Sequence, residues 1–140
     1  MLHIDSLQQG LVIDHIKASK SMDVYHHLKL DTLDCSVAIL KNVKSKTMGK
    51  KDIIKIEGAL DLDLQILGFI DPDITVNVIE NGAICKKMRL TLPSEVHDVL
   101  HCKNPRCITS VDDTVEQVFK LTDTQARRYR CIYCEQEFGR

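Results

Sequence analysis

Short apolar runs broken by polar residues fill the first two thirds of the chain, and few of them repeat at helical spacing. Leu11-Val12-Ile13-Asp14-His15-Ile16 is rich in β-branched residues and predicts a strand. Over residues 19–30, Val24, Tyr25 and Leu28 fall on one face of a helix, with Ser19 or Ser21 as N-cap candidates. Residues 35–43 predict a second strand, 45–50 a polar turn that includes Gly49, and 51–57 a third strand with clear alternation. Residues 58–68 fit two periods: Leu60, Leu64 and Leu67 suit a helix, while Leu60, Leu62 and Leu64 suit a strand. The segment is read as a helix. Residues 74–80 and 83–89 flank Asn81-Gly82, a strong hairpin signal. The order β-α-β-β-α-β-β predicts an α+β fold: a ferredoxin-like split βαβ sandwich, with two helices on one face of an antiparallel sheet.

Past Pro93 the pattern changes to short strands and turn-rich stretches, and four of the six cysteines lie there. A boundary is expected at this point, giving domains 1–93 and 94–140. The chain has 140 residues, which suits two small domains, since domains run ~50–200 residues. Apolar residues make up 44% of it and there is no tryptophan, so its core is aliphatic. Residues 94–140 are too few to hold a core unaided and need a cross-link.

The cysteines supply one. Cys102-x4-Cys107 and Cys131-x2-Cys134 are two knuckles, each offering two thiolates from one tight turn. Brought together they form a tetrahedral sulfur cage that zinc accepts. Lys103-Asn104-Pro105-Arg106 and Ile132-Tyr133 provide the turns. A pair of disulfides is the alternative, disfavoured in a reducing compartment, and the spacing is unlike that of ferredoxin-type clusters. His101 could ligate in place of a cysteine, but four thiolates make it a bystander. A four-thiolate site has no open position, so the expected ion is one structural Zn2+ per chain, whose binding energy becomes folding energy for a small all-β, zinc-ribbon-like domain. Cys35 and Cys85, in strand-like runs, are read as buried small apolar residues.

Formal net charge is −1, which weighs against a basic nucleic-acid binder. No apolar run approaches the ~18 residues of a membrane helix. Met1-Leu2-His3-Ile4-Asp5 lacks the charged and apolar regions of a secretory signal, so a cytoplasmic setting is expected. Residues 94–140 carry seven Lys or Arg against eight Asp or Glu. That balance favours docking on another protein over contact with a phosphate backbone. A zinc-ribbon nucleic-acid-binding protein is the competing reading.

In Lys51-Asp52-Ile53-Ile54-Lys55-Ile56-Glu57, alternation puts Lys51, Ile53 and Lys55 on one face and Ile54 and Ile56 on the other. The two lysines are then ~13 Å apart, four residues at about 3.3 Å each. Such a pair can reach different parts of one extended anion, such as a nucleotide, and Lys86 and Lys87 could add charge. Asp14 and His15 offer partners for ribose and phosphate. The plainer reading is a solvated strand face beside a turn, and no Walker loop or GxGxxG is present.

Gly10-Leu11-Val12-Ile13-Asp14-His15-Ile16, Gly49-Lys50-Lys51-Asp52-Ile53-Ile54-Lys55-Ile56-Glu57, Thr75-Val76-Asn77 and Cys131-Ile132-Tyr133-Cys134-Glu135-Gln136-Glu137-Phe138 occur in this order with the zinc spacing. Together they resemble the family of aspartate carbamoyltransferase regulatory chains over nearly the whole chain. The resemblance implies a non-catalytic allosteric subunit of pyrimidine biosynthesis. Residues 1–93 would bind CTP, UTP or ATP, and the zinc domain would dock on the catalytic chain. Regulatory chains of that family pair as dimers, and the resemblance implies neither a nucleic-acid nor a membrane partner. It places base contacts at Ile4, Asp5, Ser6 and Leu7 with Val12 beside them, and ribose and phosphate contacts at Asp14 and His15. The strand lysines match Lys51 and Lys55, the base pocket Asn77, Ile79 and Ile84, and a phosphate-binding lysine Lys87. Three positions depart from a well-known member: Asp5 replaces glutamate, Gly82 replaces tyrosine, and Met1 replaces a lysine associated with a second nucleotide.

Overall fold

The computed structural model describes residues 7–58 and 63–138. Ile4, Asp5, Ser6, Leu60 and Leu62 lie outside the described residues. The chain divides into two compact units at Leu90–Thr91. The first contains β1 (Gln9–Lys17), α1 (Ser21–His27), a 3-10 turn (Leu30–Thr32), β2 (Val37–Ser45), β3 (Gly49–Glu57), α2 (Leu64–Ile70), β4 (Thr75–Glu80) and β5 (Ala83–Arg89). Its sheet runs β2-β3-β1-β4-β5, and all four pairings are antiparallel. β3 lies between β1 and β2, which is the split βαβ arrangement read from the element order. The added β5 follows a tight hairpin in which Asn81 and Gly82 both have positive φ, 53° and 76°. That is the twist a two-residue turn needs to match its strands.

Alternation decides which face is covered. Leu11 and Ile13 of β1, Ile54 and Ile56 of β3 and Val76 of β4 are buried with Val24 of α1 and Leu67 of α2 in one aliphatic cluster. Tyr25 and Leu28, the other two residues of the helical stripe, pack against its margin. Gly10 has φ +157°, and a Cβ there would collide with the carbonyl oxygen of Ile56, so β1 meets β3 only through a glycine.

The ends of the elements differ from the expected ones for local reasons. Neither Ser19 nor Ser21 caps α1; the N-cap is Lys20, which makes no side-chain cap bond. Asp52 of β3 takes over instead. One carboxylate oxygen accepts from the backbone N–H of Ser19 at 3.1 Å and of Ser21 at 3.3 Å. The other accepts from Asn42 N–H of β2 at 3.0 Å. Burial works against the charge, but hydrogen bonding from Ser21, Asn42 and Ser19 outweighs it and holds the carboxyl below its ordinary range. α1 is also shorter than 19–30, and the 3-10 turn occupies the difference. α2 begins later than residue 58. Asp63 caps it by accepting from Gln65 and Ile66 N–H, and it stops at Asp71, before Pro72.

The second unit contains β6 (Glu95–His97), α3 (Ile108–Val111), β7 (Val118–Asp123), β8 (Arg128–Cys131) and β9 (Glu137–Phe138). Its sheet runs β6-β7-β8-β9, antiparallel throughout. It is β-rich as expected, apart from one helical turn directly after Cys107. Its core is small: Val96, Leu100, Val118, Phe119 and Tyr129, together with Cys107 and Cys131. The buried Tyr129 donates its hydroxyl to the Pro93 carbonyl at 2.7 Å. Cys35 is half-buried against the first unit's cluster, whereas Cys85 is exposed. The reading of Cys85 as buried is therefore corrected. β5 is an edge strand, and Ala83 to Lys87 are all exposed along it. Among the described residues no helix is long and apolar enough to cross a membrane.

Replacing Asp52 by Ala leaves three N–H groups, that of Ser21 buried, without their acceptor, and a loss of about 3 kcal/mol in urea unfolding is expected. Because the folded carboxyl titrates below the unfolded one, its contribution is full above the unfolded value near pH ~4. It is lost as pH falls through the folded value. Asp52→Asn should therefore flatten the acid limb of the stability profile, and an unchanged limb would contradict the role given to Asp52.

Candidate functional site

Two sets of polar side chains are organised by these frames. In the second unit, the Sγ atoms of Cys102, Cys107, Cys131 and Cys134 all lie within 4.8 Å of one another. Cys102 and Cys134 are 3.5 Å apart and Cys107 and Cys131 3.7 Å. A tetrahedron with Zn–S bonds of ~2.3 Å has edges of about 3.8 Å, so these gaps fit one zinc ion. They are far longer than the ~2.05 Å of a disulfide, and all six cysteines are free. His101 is not part of the group.

Each knuckle is locked by local bonds. Asn104 Oδ1 accepts from Arg106 N–H at 3.0 Å, and its carbonyl from the Ser110 hydroxyl at 2.7 Å. In the second knuckle Glu135 N–H reaches the Cys131 carbonyl at 2.9 Å, with Glu135 at φ 62°. Burial, together with the neighbouring thiols, pushes Cys102 up to about 12. Cys134 is held at about 7, because the Gln136 N–H and the Asn104 side chain outweigh its burial. Four sulfurs this close cannot all carry charge unless a cation sits among them, and a divalent metal supplies that charge. Thr109 donates its hydroxyl to Cys107 Sγ at 3.1 Å, an outer contact that steadies a ligand. Sequence reading missed Thr109; its only signal is its place two residues after a ligand.

In the first unit, the sheet face opposite the helices carries the second set. Register pairs Lys55 with Val12, Val12 with Asn77, and Asn77 with Lys87. These four residues form one row across β3, β1, β4 and β5. Two residues along, Gly10 pairs with Ile79, and Ile79 with Ile84. Ile79 is buried yet stands outside the aliphatic cluster, and Ile84 is exposed. Asn77 is 8% exposed, and among the described residues its Oδ1 has no hydrogen-bond partner. A buried acceptor of this kind normally has one. Lys51, Ile53 and Lys55 do share a half-buried face, with Ile54 and Ile56 buried on the other.

A bulge shapes the lower end of the row. β1 shifts register between Ile13 and Ile16, and His15 takes φ 59°. Asp14 thereby pairs with Lys51 at 2.9 Å, and His15 Nδ1 meets Thr75 Oγ1 at 2.8 Å. Lys51 is thus already partnered, whereas Lys55 has no ion pair among the described residues. Lys87 lies in the row; Lys86 pairs with Val78 and so takes the alternate side. Leu7 is half-buried just before β1. No linear pattern exposes the Asp14–Lys51 pair, because it crosses strands.

The allosteric domain of the aspartate carbamoyltransferase regulatory chain matches residues 2–91, and its metal binding domain matches residues 94–140. The chain belongs to that family. It is 48% identical over 136 residues to the aspartate carbamoyltransferase regulatory chain of Clostridium acetobutylicum, covering 97% of this chain and 93% of the relative. It is 46% identical over 139 residues to that of Clostridium botulinum, covering 99% and 95%. With the chain of Bifidobacterium longum it shares 40% over 136 residues, covering 97% and 98%. The clustered thiolates thus lie in the family's metal-binding domain, and the sheet face with its unpaired Asn77 lies in its allosteric domain.

Cys107→Ser removes a buried donor, and metal analysis of the purified chain should show bound zinc in the parent and none in the variant. Structural zinc binding is worth ~10–16 kcal/mol at neutral pH, so a chelator should abolish the second unit's cooperative melting. Retention of zinc by the variant would contradict the four-thiolate assignment.

Proposed function

We propose that this regulatory chain binds nucleoside triphosphates, CTP, UTP or ATP, on the helix-free face of its first sheet. Through its zinc domain it passes their effect to the catalytic chain of a cytoplasmic aspartate carbamoyltransferase. The observation that carries the reading is the row Lys55–Val12–Asn77–Lys87, with a buried carboxamide oxygen left unpaired at its centre. A ribose hydroxyl of the nucleotide would satisfy that oxygen. The row spans three inter-strand steps of ~4.8 Å, about 14 Å from Lys55 to Lys87, enough to bracket a polyphosphate with cations. Asp14, His15, Leu7, Ile79 and Ile84 complete the face, and Ile4, Asp5 and Ser6 join it from the residues before β1. Lys51 acts with Asp14 as a pair, orienting the carboxylate toward a ribose.

The zinc unit is the docking module. Ile108, Val111, Ile132 and Tyr133 are all exposed, and they flank the two knuckles. Burying them against the catalytic chain would remove apolar area from water, and the metal fixes the loops that present them. The chain itself pairs with a second copy. A nucleotide acts here only through different affinity for two states of the assembly, with coupling of ~1–3 kcal/mol typical.

Two measurements test this. In calorimetric titration, Lys55→Ala should weaken CTP binding about tenfold or more while leaving zinc content unchanged. Parent-like affinity would refute the site. Cys107→Ser should fail to co-purify with the catalytic chain, and an assembly that survives without metal would refute the docking role.

A further inference from the structure

The face changes character along the strands. Its lower rows hold Asp14, Lys51, Lys55 and Lys87, whereas the next row, Glu57–Gly10–Ile79–Ile84, carries one charge at its β3 end and is apolar across β1, β4 and β5. Because Gly10 has no side chain, that row opens a flat floor on β1 beside the paired isoleucines Ile79 and Ile84. A planar base suits it, with its phosphates toward the cations. Just beyond the floor stands the hairpin Asn81-Gly82, and opposite it Gln8.

Gln8 is held from the backbone. Its carbonyl accepts from Gly82 N–H at 3.0 Å, and the carbonyl of the next residue, Gln9, accepts from Gly58 N–H at 3.0 Å. The side chain turns over the hairpin. A Cβ built on Gly82 would lie 3.4 Å from Gln8 Oε1 and 3.5 Å from Nε2. The carboxamide therefore occupies the space that a side chain at position 82 would take, at the rim of the apolar row. It is exposed, and no bond within the described residues ties its amide down.

We propose that Gln8 is the specificity-determining residue of this chain, its carboxamide reading the hydrogen-bonding edge of a base lying on Gly10, Ile79 and Ile84. The assignment rests on the nucleotide reading given above. A carboxamide both donates and accepts. It can accept from the exocyclic amino group of cytosine or adenine, and it can donate to the O4 of uracil. With glycine at position 82, no other side chain of the hairpin stands at that edge among the described residues, so the chain should hold CTP, UTP and ATP with little discrimination.

A carboxylate at the same place accepts only. Gln8→Glu should keep the amino-bearing bases and reject uracil, changing the ratio of CTP to UTP affinity by about tenfold. The added negative charge repels both triphosphates alike and cancels in the ratio. The experiment is calorimetric titration of the purified zinc-replete chain with CTP, UTP and ATP separately. Parent, Gln8→Glu, Gln8→Ala and Lys55→Ala are compared, with thermal melting to show that each is folded. A shifted ratio for Gln8→Glu, with Gln8→Ala weakening all three ligands, supports the assignment. An unchanged ratio, while Lys55→Ala still loses binding, overturns it and leaves the nucleotide site standing. A parent that binds none of the three overturns both.

Discussion

The carboxylate of Asp52 is the point on which the first unit is hung. It is fully buried, and it lies beside irregularities in both neighbouring strands: β1 shifts register between Ile13 and Ile16, and β2 between Leu40 and Val43. One side chain thus closes the start of α1, the bulge of β2 and the middle of β3. Because side chains alternate along a strand, fixing Asp52 inward fixes Lys51 and Ile53 outward. A slip of one residue would bury the lysines and expose Ile54 and Ile56. The polar face and the aliphatic core are therefore two results of one register, and a buried charge helps to enforce it.

The second unit solves a different problem. Val96, Leu100, Val118, Phe119 and Tyr129 are too few apolar residues to hold 50 residues, 91–140, by burial alone. The thiolates work with that core rather than beside it: Cys107 and Cys131 are 2% and 1% exposed, so the metal is sealed by the same packing it stabilises. The turns that bring the sulfurs together draw on Asn104 and on a left-handed Glu135, ordinary local chemistry made permanent by the ion.

Much of this is written openly along the chain. Alternation in β3, the Asn81-Gly82 turn and the paired cysteine knuckles each depend on residues close in sequence, and each is found in place. What escaped depends on distance. The cap of α1 comes from a strand more than thirty residues away, so Ser19 and Ser21 looked like caps and are not. Asp52 did leave a signal: it shares parity with Ile54 and Ile56, an acid on the apolar side of a strand. Cys85 misled because a strand-like run does not say whether its strand ends up at an edge. The pairing of Asp14 with Lys51 needed both the bulge and the neighbouring strand.

Gly10 also bears on how such a chain can change over generations. Any side chain there would strike the Ile56 carbonyl, and the backbone angle suits glycine alone. The floor of the face is therefore closed to variation, since editing it would cost the sheet. The rim is open at position 8, which is exposed, whereas the φ of 76° at Gly82 strains any side chain placed there. On the nucleotide reading proposed above, ligand preference can drift at position 8 without loss of the fold. On that reading, one scaffold can be kept while the signal it answers to changes.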